Sequence, residues 1–213
     1  MTLFAFDFDG TLSDSEMTVL LGSQYGVADQ MDSITEQAMN DEIEYAESLR
    51  QRAALLEDLP DEKAQAAFEE VVLRPGAAEV IADLREAGHH VAILTGGFER
   101  GVAEALTKEG VDVDTIVANR LPVEDDALTG EVRGSLIEGT KDEALELLVD
   151  DQDLDIGDTV AVGDGANDLP MLQAAGWAIG FEPKEAVAPH CDVEVTTMEA
   201  LRAELIAEGH LEA

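Results

Sequence analysis

Leu3-Phe4-Ala5-Phe6-Asp7-Phe8-Asp9-Gly10-Thr11 is a short apolar run that ends in two carboxylates one residue apart. A run this short and apolar predicts a buried strand, Leu3–Phe8, and residues two apart leave an extended chain on the same face. Like charges so close repel each other and raise a pKa unless something neutralises them. A divalent cation does so, and oxygen-only ligands point to Mg²⁺. Taken alone, the stretch reads equally well as a strand closing in an Asp-rich turn that Gly10 permits. The remainder of the chain decides between the two.

Further apolar runs recur along the sequence. Strands are expected at His90–Thr95, Thr115–Ala118, Thr159–Gly163, Trp177–Gly180 and, more weakly, Asp192–Val195. Amphipathic helical patterns separate them at Gly76–Ala87, Glu99–Glu109, Lys141–Val149, Leu169–Ala175 and Met198–Glu208. This alternation predicts an α/β fold, a Rossmann-like, mostly parallel sheet flanked by helices. Such sheets bind ligands beyond the carboxyl ends of their strands, where Asp7, Thr95 and Asp164 all fall. Two segments interrupt the pattern. Helices are expected at Met17–Tyr25, Ser33–Met39, Ile43–Glu57 and Asp61–Val72, a small helical cap inserted after the first strand. Leu121-Pro122-Val123 and Leu128–Val132, around an acidic turn, suggest a β-hairpin excursion. The expected division is a core of residues 1–14 and 75–213 with a cap of residues 15–74.

Charge narrows the function classes. The 213 residues carry 48 acids against 12 bases, a net charge of -36, with 46% hydrophobic residues arranged periodically. That combination indicates a folded protein with an acidic surface, a pattern that resembles proteins of salt-loving organisms. A nucleic-acid partner is excluded for want of clustered Lys and Arg. Neither a membrane span nor a signal peptide is expected, and the single Cys191 fits a reduced, cytoplasmic setting. A monomer or homodimer is expected.

Three other clusters carry chemistry. Thr95-Gly96-Gly97-Phe98 places a hydroxyl and two glycines before a helix, which suits a phosphate or an ordinary strand-to-helix turn. Lys141 opens a helix, where a cation is disfavoured unless an anion compensates it. That anion could be a phosphate, or simply Asp142 or Glu138. Gly163-Asp164-Gly165-Ala166-Asn167-Asp168 puts two carboxylates and an amide in a glycine-rich turn, with Asp168 also able to cap the following helix.

In order and spacing, Asp7-Phe8-Asp9-Gly10-Thr11, Thr95-Gly96-Gly97, Lys141 and Gly163–Asp168 resemble the four motifs of the haloacid dehalogenase-like phosphohydrolases. Within that superfamily the chain resembles the members acting on O-phospho-L-serine. The likeness extends to Glu16, Ile34–Met39, Ser48–Arg52, Ala118-Asn119-Arg120-Leu121 and Leu128-Thr129-Gly130, and runs from about residue 3 to 180. It implies that Asp7 attacks phosphorus to form an aspartyl-phosphate. Asp9 would protonate the leaving seryl oxygen and then activate water. It also implies Mg²⁺ held by Asp7, the Asp9 carbonyl and Asp164, with Asp168 and Thr11 in support. Thr95, Gly96, Lys141 and Asn167 would hold the phosphate.

The implied substrate is a small zwitterion, so Glu16 would take its ammonium and Arg52 its carboxylate, with Met39, Tyr45 and Gly97 lining the pocket. The chain departs from the family's pattern twice: Thr95 stands where Ser is common, and Tyr45 where Phe is. The alternatives are a related phosphatase or phosphotransferase using another small phosphate ester, and, more distantly, a non-catalytic acidic metal-binding protein.

Overall fold

The computed structural model describes residues 1–39 and 42–212. Its centre is a six-stranded, all-parallel sheet. In chain order the strands are β1 (Leu3–Phe6), β2 (His90–Phe98), β3 (Thr115–Asn119), β6 (Thr159–Gly163), β7 (Trp177–Phe181) and β8 (Val193–Val195). They lie side by side as β3-β2-β1-β6-β7-β8. A separate hairpin pairs β4 (Val123–Glu124) with β5 (Ala127–Leu128).

Both faces of the sheet are covered, which is why its strands read as continuous apolar runs. Phe4, Phe6, Val91, Ile93, Val160 and Val162 belong to one apolar cluster, together with α5 (Ala77–Glu86), α6 (Glu99–Glu109) and α9 (Met198–Ala207). The alternate residues Leu3, Ala5, Leu94 and Ala161 pack on the other face against α7 (Lys141–Asp151) and α8 (Leu169–Ala174). Phe4, Phe6 and Phe8 are fully buried, and each such side chain contributes roughly 2–3 kcal/mol by leaving water. β1 is the switch point: its neighbours β2 and β6 continue the sheet in opposite directions, which opens a crevice beyond its carboxyl end.

The interrupting segment forms α1 (Met17–Tyr25), α2 (Ala28–Met39), α3 (Tyr45–Ala54) and α4 (Asp61–Phe68). Three of these helices differ from expectation. α2 begins five residues early, at Ala28, because Gly26 ends α1 in a left-handed conformation and the chain re-enters helix at once. α3 and α4 are each shorter than expected. The chain leaves α3 through a left-handed Asp58 (φ 62°) to meet the hairpin, where Leu128 N–H donates to Leu59 O and Asp58 N–H to Leu128 O at 2.9 and 3.0 Å. Met17, Leu21, Met31, Leu49 and Phe68 lie in the same apolar cluster as Phe4 and Phe6.

The hairpin is tighter than expected. Asp125 and Asp126 both adopt positive φ, 50° and 61°, the backbone a two-residue turn needs to match strand twist. β2, in turn, is longer than expected and runs through Phe98.

Exposed ion pairs such as Arg85–Asp114 (3.0 Å) and Arg202–Asp83 (2.7 Å) cannot balance the surface, since 12 bases face 48 acids. Mobile cations must screen the remainder. The melting temperature should therefore climb steeply between about 0.1 and 2 M KCl; a melt indifferent to salt would refute the screening argument. Among the described residues, no helix is long and apolar enough to cross a membrane.

Candidate active site

Two connections, past β1 and past β6, bring acidic residues to the crevice, and α7 and β2 complete it. Asp7 follows β1 directly, and its N–H extends the parallel ladder by donating to Val162 O at 2.9 Å. The chain then doubles back: Ser13 N–H donates to Phe8 O and Gly10 N–H to Ser13 O. Gly10 has φ 95°, and a Cβ there would lie 2.7 Å from Asp164 Oδ1. Only glycine fits, because the Asp164 carboxylate, arriving from the end of β6, rests on it.

Asp168 is fully buried with both oxygens engaged. Oδ2 accepts from the N–H groups of Asp164 and Gly165 at 3.0 and 2.9 Å, and Oδ1 accepts from Lys141 Nζ at 2.5 Å. Lys141 Nζ also donates to Asp7 Oδ1 at 2.5 Å. The compensating anions for this N-terminal helix lysine are thus Asp7 and Asp168, not Asp142 or Glu138, and Glu138 pairs with Arg50 instead. α7 starts where it does because the Glu143 carboxylate accepts from Thr140 N–H, closing the first turn behind Lys141.

The third element is the end of β2. Thr95 is buried, and its Oγ1 accepts from Gly97 N–H at 2.9 Å. A Cβ on Gly97 would sit 2.9 Å from Asp9 Oδ2, and one on Gly96 would collide with the Tyr45 hydroxyl. The two glycines therefore let Asp9 and Tyr45 approach the backbone. Tyr45 itself is 41% exposed, with its hydroxyl against Gly96.

Charge is concentrated and desolvated here. Burial, then the Asp168 charge, pushes Asp7 up to about 7 against the pull of Lys141. Asp9 rises well above the usual carboxylate range through burial, then Asp7 and Glu16. Asp164 rises through burial, with Lys184 opposing. Burial alone would lower Lys141, but Asp168 and Asp7 outweigh it and hold it charged.

One carboxylate oxygen from each of Asp7, Asp164 and Asp168 lies within 4.8 Å of the others. With Asp168 saturated by its own hydrogen bonds, the free oxygens come from Asp7 and Asp164. Asp9 Oδ1 and Thr11 Oγ1 are buried beside them without partners. An all-oxygen set with orphaned polar atoms and surplus negative charge fits a hard divalent cation.

The remaining sequence-predicted residues are placed as follows. Glu16 is exposed at the start of α1, within electrostatic reach of Lys184, Asp164 and Arg52. Arg52 is half-buried on α3, forms no ion pair among the described residues, and donates weakly to Ser48 O at 3.4 Å. Burial lowers its pKa, with Tyr45 and Glu16 opposing. Asn167 is exposed with its Oδ1 beside Gly165, and among the described residues no hydrogen bond ties it to Lys141 or Thr95. The Met39 side chain lies outside the described residues.

Sequence reasoning did not assign Lys184, whose Nζ stands 3.2 Å from Asp164 Oδ2, although lysine is scarce enough in this chain to have marked it. Arg74 was missed as well. Its Nη2 donates to Gly10 O at 3.2 Å and its guanidinium stacks 5.1 Å from the Phe181 ring centroid. No local spacing announces that contact.

A crevice of this kind on this sheet, two acids past β1, a hydroxyl near the end of β2, a lysine at the start of α7 and two acids past β6, is a phosphohydrolase arrangement. The family model for haloacid dehalogenase-like hydrolase matches residues 4–173, and the chain belongs to that family. It is 51% identical over 201 residues to the phosphoserine phosphatase of Halobacterium salinarum, covering 94% of this chain and 95% of the relative. Against the phosphoserine phosphatase of Methanocaldococcus jannaschii the identity is 39%, covering 90% of each. Among solved structures, a phospho-aspartyl intermediate analogue of phosphoserine phosphatase superposes with TM-score 0.86 at 38% identity, covering 97% of this chain and 98% of the other. A substrate-bound phosphoserine phosphatase complex gives 0.86 at 36%, covering 97% of both.

Proposed function

We propose that the chain hydrolyses O-phospho-L-serine to L-serine and phosphate through an aspartyl-phosphate on Asp7, with Mg²⁺ as its metal. The observation carrying this reading is the contact of Lys141 with both Asp7 and Asp168, with Thr95 buried near the end of β2, the strand paired with β1. It assembles a nucleophile, a phosphate-holding cation and a hydrogen-bond donor in one buried place. Asp7 and Asp164 would hold the cation, with Asp168 orienting Asp164 and Lys141. When bound, the cation keeps Asp7 ionised and offsets phosphoryl charge.

Asp7 is the nucleophile. Its carboxylate oxygen forms a bond to phosphorus as the phosphorus–seryl oxygen bond breaks. Asp9, whose pKa burial and then Asp7 raise well above the usual carboxylate range, would give a proton to the departing oxygen. The resulting Asp9 carboxylate then takes a proton from water, which attacks the phosphorus and frees Asp7. Lys141 and Thr95 hold the phosphoryl oxygens throughout. Positioning and charge supply most of the rate in such transfers. Asp7, Thr95 and Lys141 are at most 3% exposed, and residues 15–74, with the Tyr45 hydroxyl against Gly96, would act as a cap over them.

Specificity rests on the cap. Glu16 and Arg52 lie within electrostatic reach of each other, one anion and one cation for an amino acid's two charged ends. Arg52→Ala should raise KM for phosphoserine roughly 10–100-fold, the loss expected for a charged hydrogen-bonded contact. It should have far less effect on a generic aryl phosphate. A panel of phosphoserine, phosphothreonine, phosphoglycolate and sugar phosphates, assayed with Mg²⁺ in high salt, tests the assignment. Equal rates across the panel would defeat it.

A further inference from the structure

Ala118-Asn119-Arg120-Leu121 plays no part in the chemistry above, yet its asparagine touches the phosphate loop. β2 and β3 pair regularly as far as Leu94↔Val117, and the ladder resumes only at Phe98↔Asn119. β2 takes four steps, Leu94 to Phe98, where β3 takes two, Val117 to Asn119, so Thr95, Gly96 and Gly97 bulge toward the crevice. The Gly96–Gly97 peptide has no Cβ on either side, and sterics alone leave it free to face either way.

Two hydrogen bonds hold it. Gly97 N–H donates to Thr95 Oγ1 at 2.9 Å, and Asn119 Nδ2 donates to Gly96 O at 3.0 Å. Because the Thr95 oxygen already accepts from Gly97 N–H, its own proton is left to point at a ligand. A flipped peptide would present a carbonyl to Thr95 and capture that proton.

Asn119 is built for this task. It is fully buried, and its Oδ1 has no hydrogen-bond partner among the described residues. That Oδ1 lies against Gly134, where a Cβ would come within 2.1 Å of it. The backbone on either side is clamped by reciprocal hydrogen bonds between Arg120 and Arg133 at 2.7 and 2.9 Å. The amide cannot turn its oxygen toward Gly96 without setting it against a carbonyl, so its orientation is fixed.

We propose that Asn119 is a positioning residue, which fixes the Gly96–Gly97 peptide and thereby directs the Thr95 hydroxyl proton to the bound phosphoryl group. This rests on the assignment of Thr95 to the phosphate. The test is a double-mutant cycle of Asn119→Ala and Thr95→Val, with Asn119→Asp as an isosteric variant that keeps the volume but removes the donor. The readouts are kcat/KM for O-phosphoserine, the Kd of inorganic phosphate by calorimetry, and the melting temperature.

Asn119→Ala should cost about tenfold in kcat/KM and in phosphate affinity, the scale of one buried hydrogen bond. Asn119→Asp should cost at least as much. In the Thr95→Val background, Asn119→Ala should add less than about twofold, because the group it directs is gone. Full activity in Asn119→Asp, or an undiminished tenfold loss in the Thr95→Val background, overturns the proposal while leaving the site assignment standing. A harmless Thr95→Val overturns both. If Asn119→Ala does not fold, the same comparisons are made with Asn119→Asp.

Discussion

Asp7→Asn is expected to remove at least about a thousandfold of phosphoserine turnover, the scale set by loss of a nucleophile. An amide cannot form the acyl-phosphate, while its shape preserves the surrounding packing. Release of inorganic phosphate under saturating substrate measures the loss, and activity within tenfold of wild type would show that Asp7 is not the attacking group.

The same substitution has an opposite effect on the metal-free fold. Asp7 is raised to about 7 in the folded protein from an ordinary 3.8. The folded state therefore holds its proton more tightly than the unfolded chain does. That contribution to stability is complete below about pH 4 and is lost as pH rises through about 7. In chelator, Asp7→Asn should thus melt above wild type at pH 8, and the gap should narrow toward pH 5. A gap that widens on acidification would reverse the sign and refute the argument.

Lys141→Met should produce the largest loss of stability. The ammonium sits between Asp7 and Asp168 with side-chain exposures of 4%, 4% and 0%. Removing it leaves two buried carboxylates facing each other without a counter-ion. Breaking a buried ion pair from one side costs about 3–5 kcal/mol, and here two pairs share the cation. Urea unfolding in chelator should register a drop of that order, and turnover should fall with it, since the phosphoryl oxygens lose their positive partner. A variant within about 1 kcal/mol of wild type would mean that Lys141 is not the charge that holds the cluster.

Much of this molecule could be read without coordinates. Val91–Leu94 and Val160–Val162 are apolar on consecutive residues because each strand is covered on both faces, and that signature set apart sheet from helix. Asp7, Thr95 and Asp164 could be placed on one rim because parallel strands all end on the same side. The unread parts share one cause, dependence on distant residues. The anion demanded by Lys141 was legible from its place at a helix start, but its identity was not, since Asp7 is 134 residues away. α3 continues as a helical pattern past the point where it stops, and pairing of Asp58 and Leu59 with the hairpin overrides that local preference; just past the end of α4 the distant Lys108 donates to the Glu69 and Val71 carbonyls. Lys184, Arg74 and Asn119 act through long side chains or across a strand pair, and no spacing in the sequence records such paths.

The apolar cluster that joins Met17, Leu21 and Met31 to Phe4 and Phe6 bears on protein engineering. Residues 15–74 are not a cassette to be exchanged between enzymes. Lifted onto a foreign scaffold, they would bring a bare greasy underside, and the donor would be left with an equal wound. Altering what this catalyst accepts is a matter of repainting α1 and α3 residue by residue, from the side that faces the crevice.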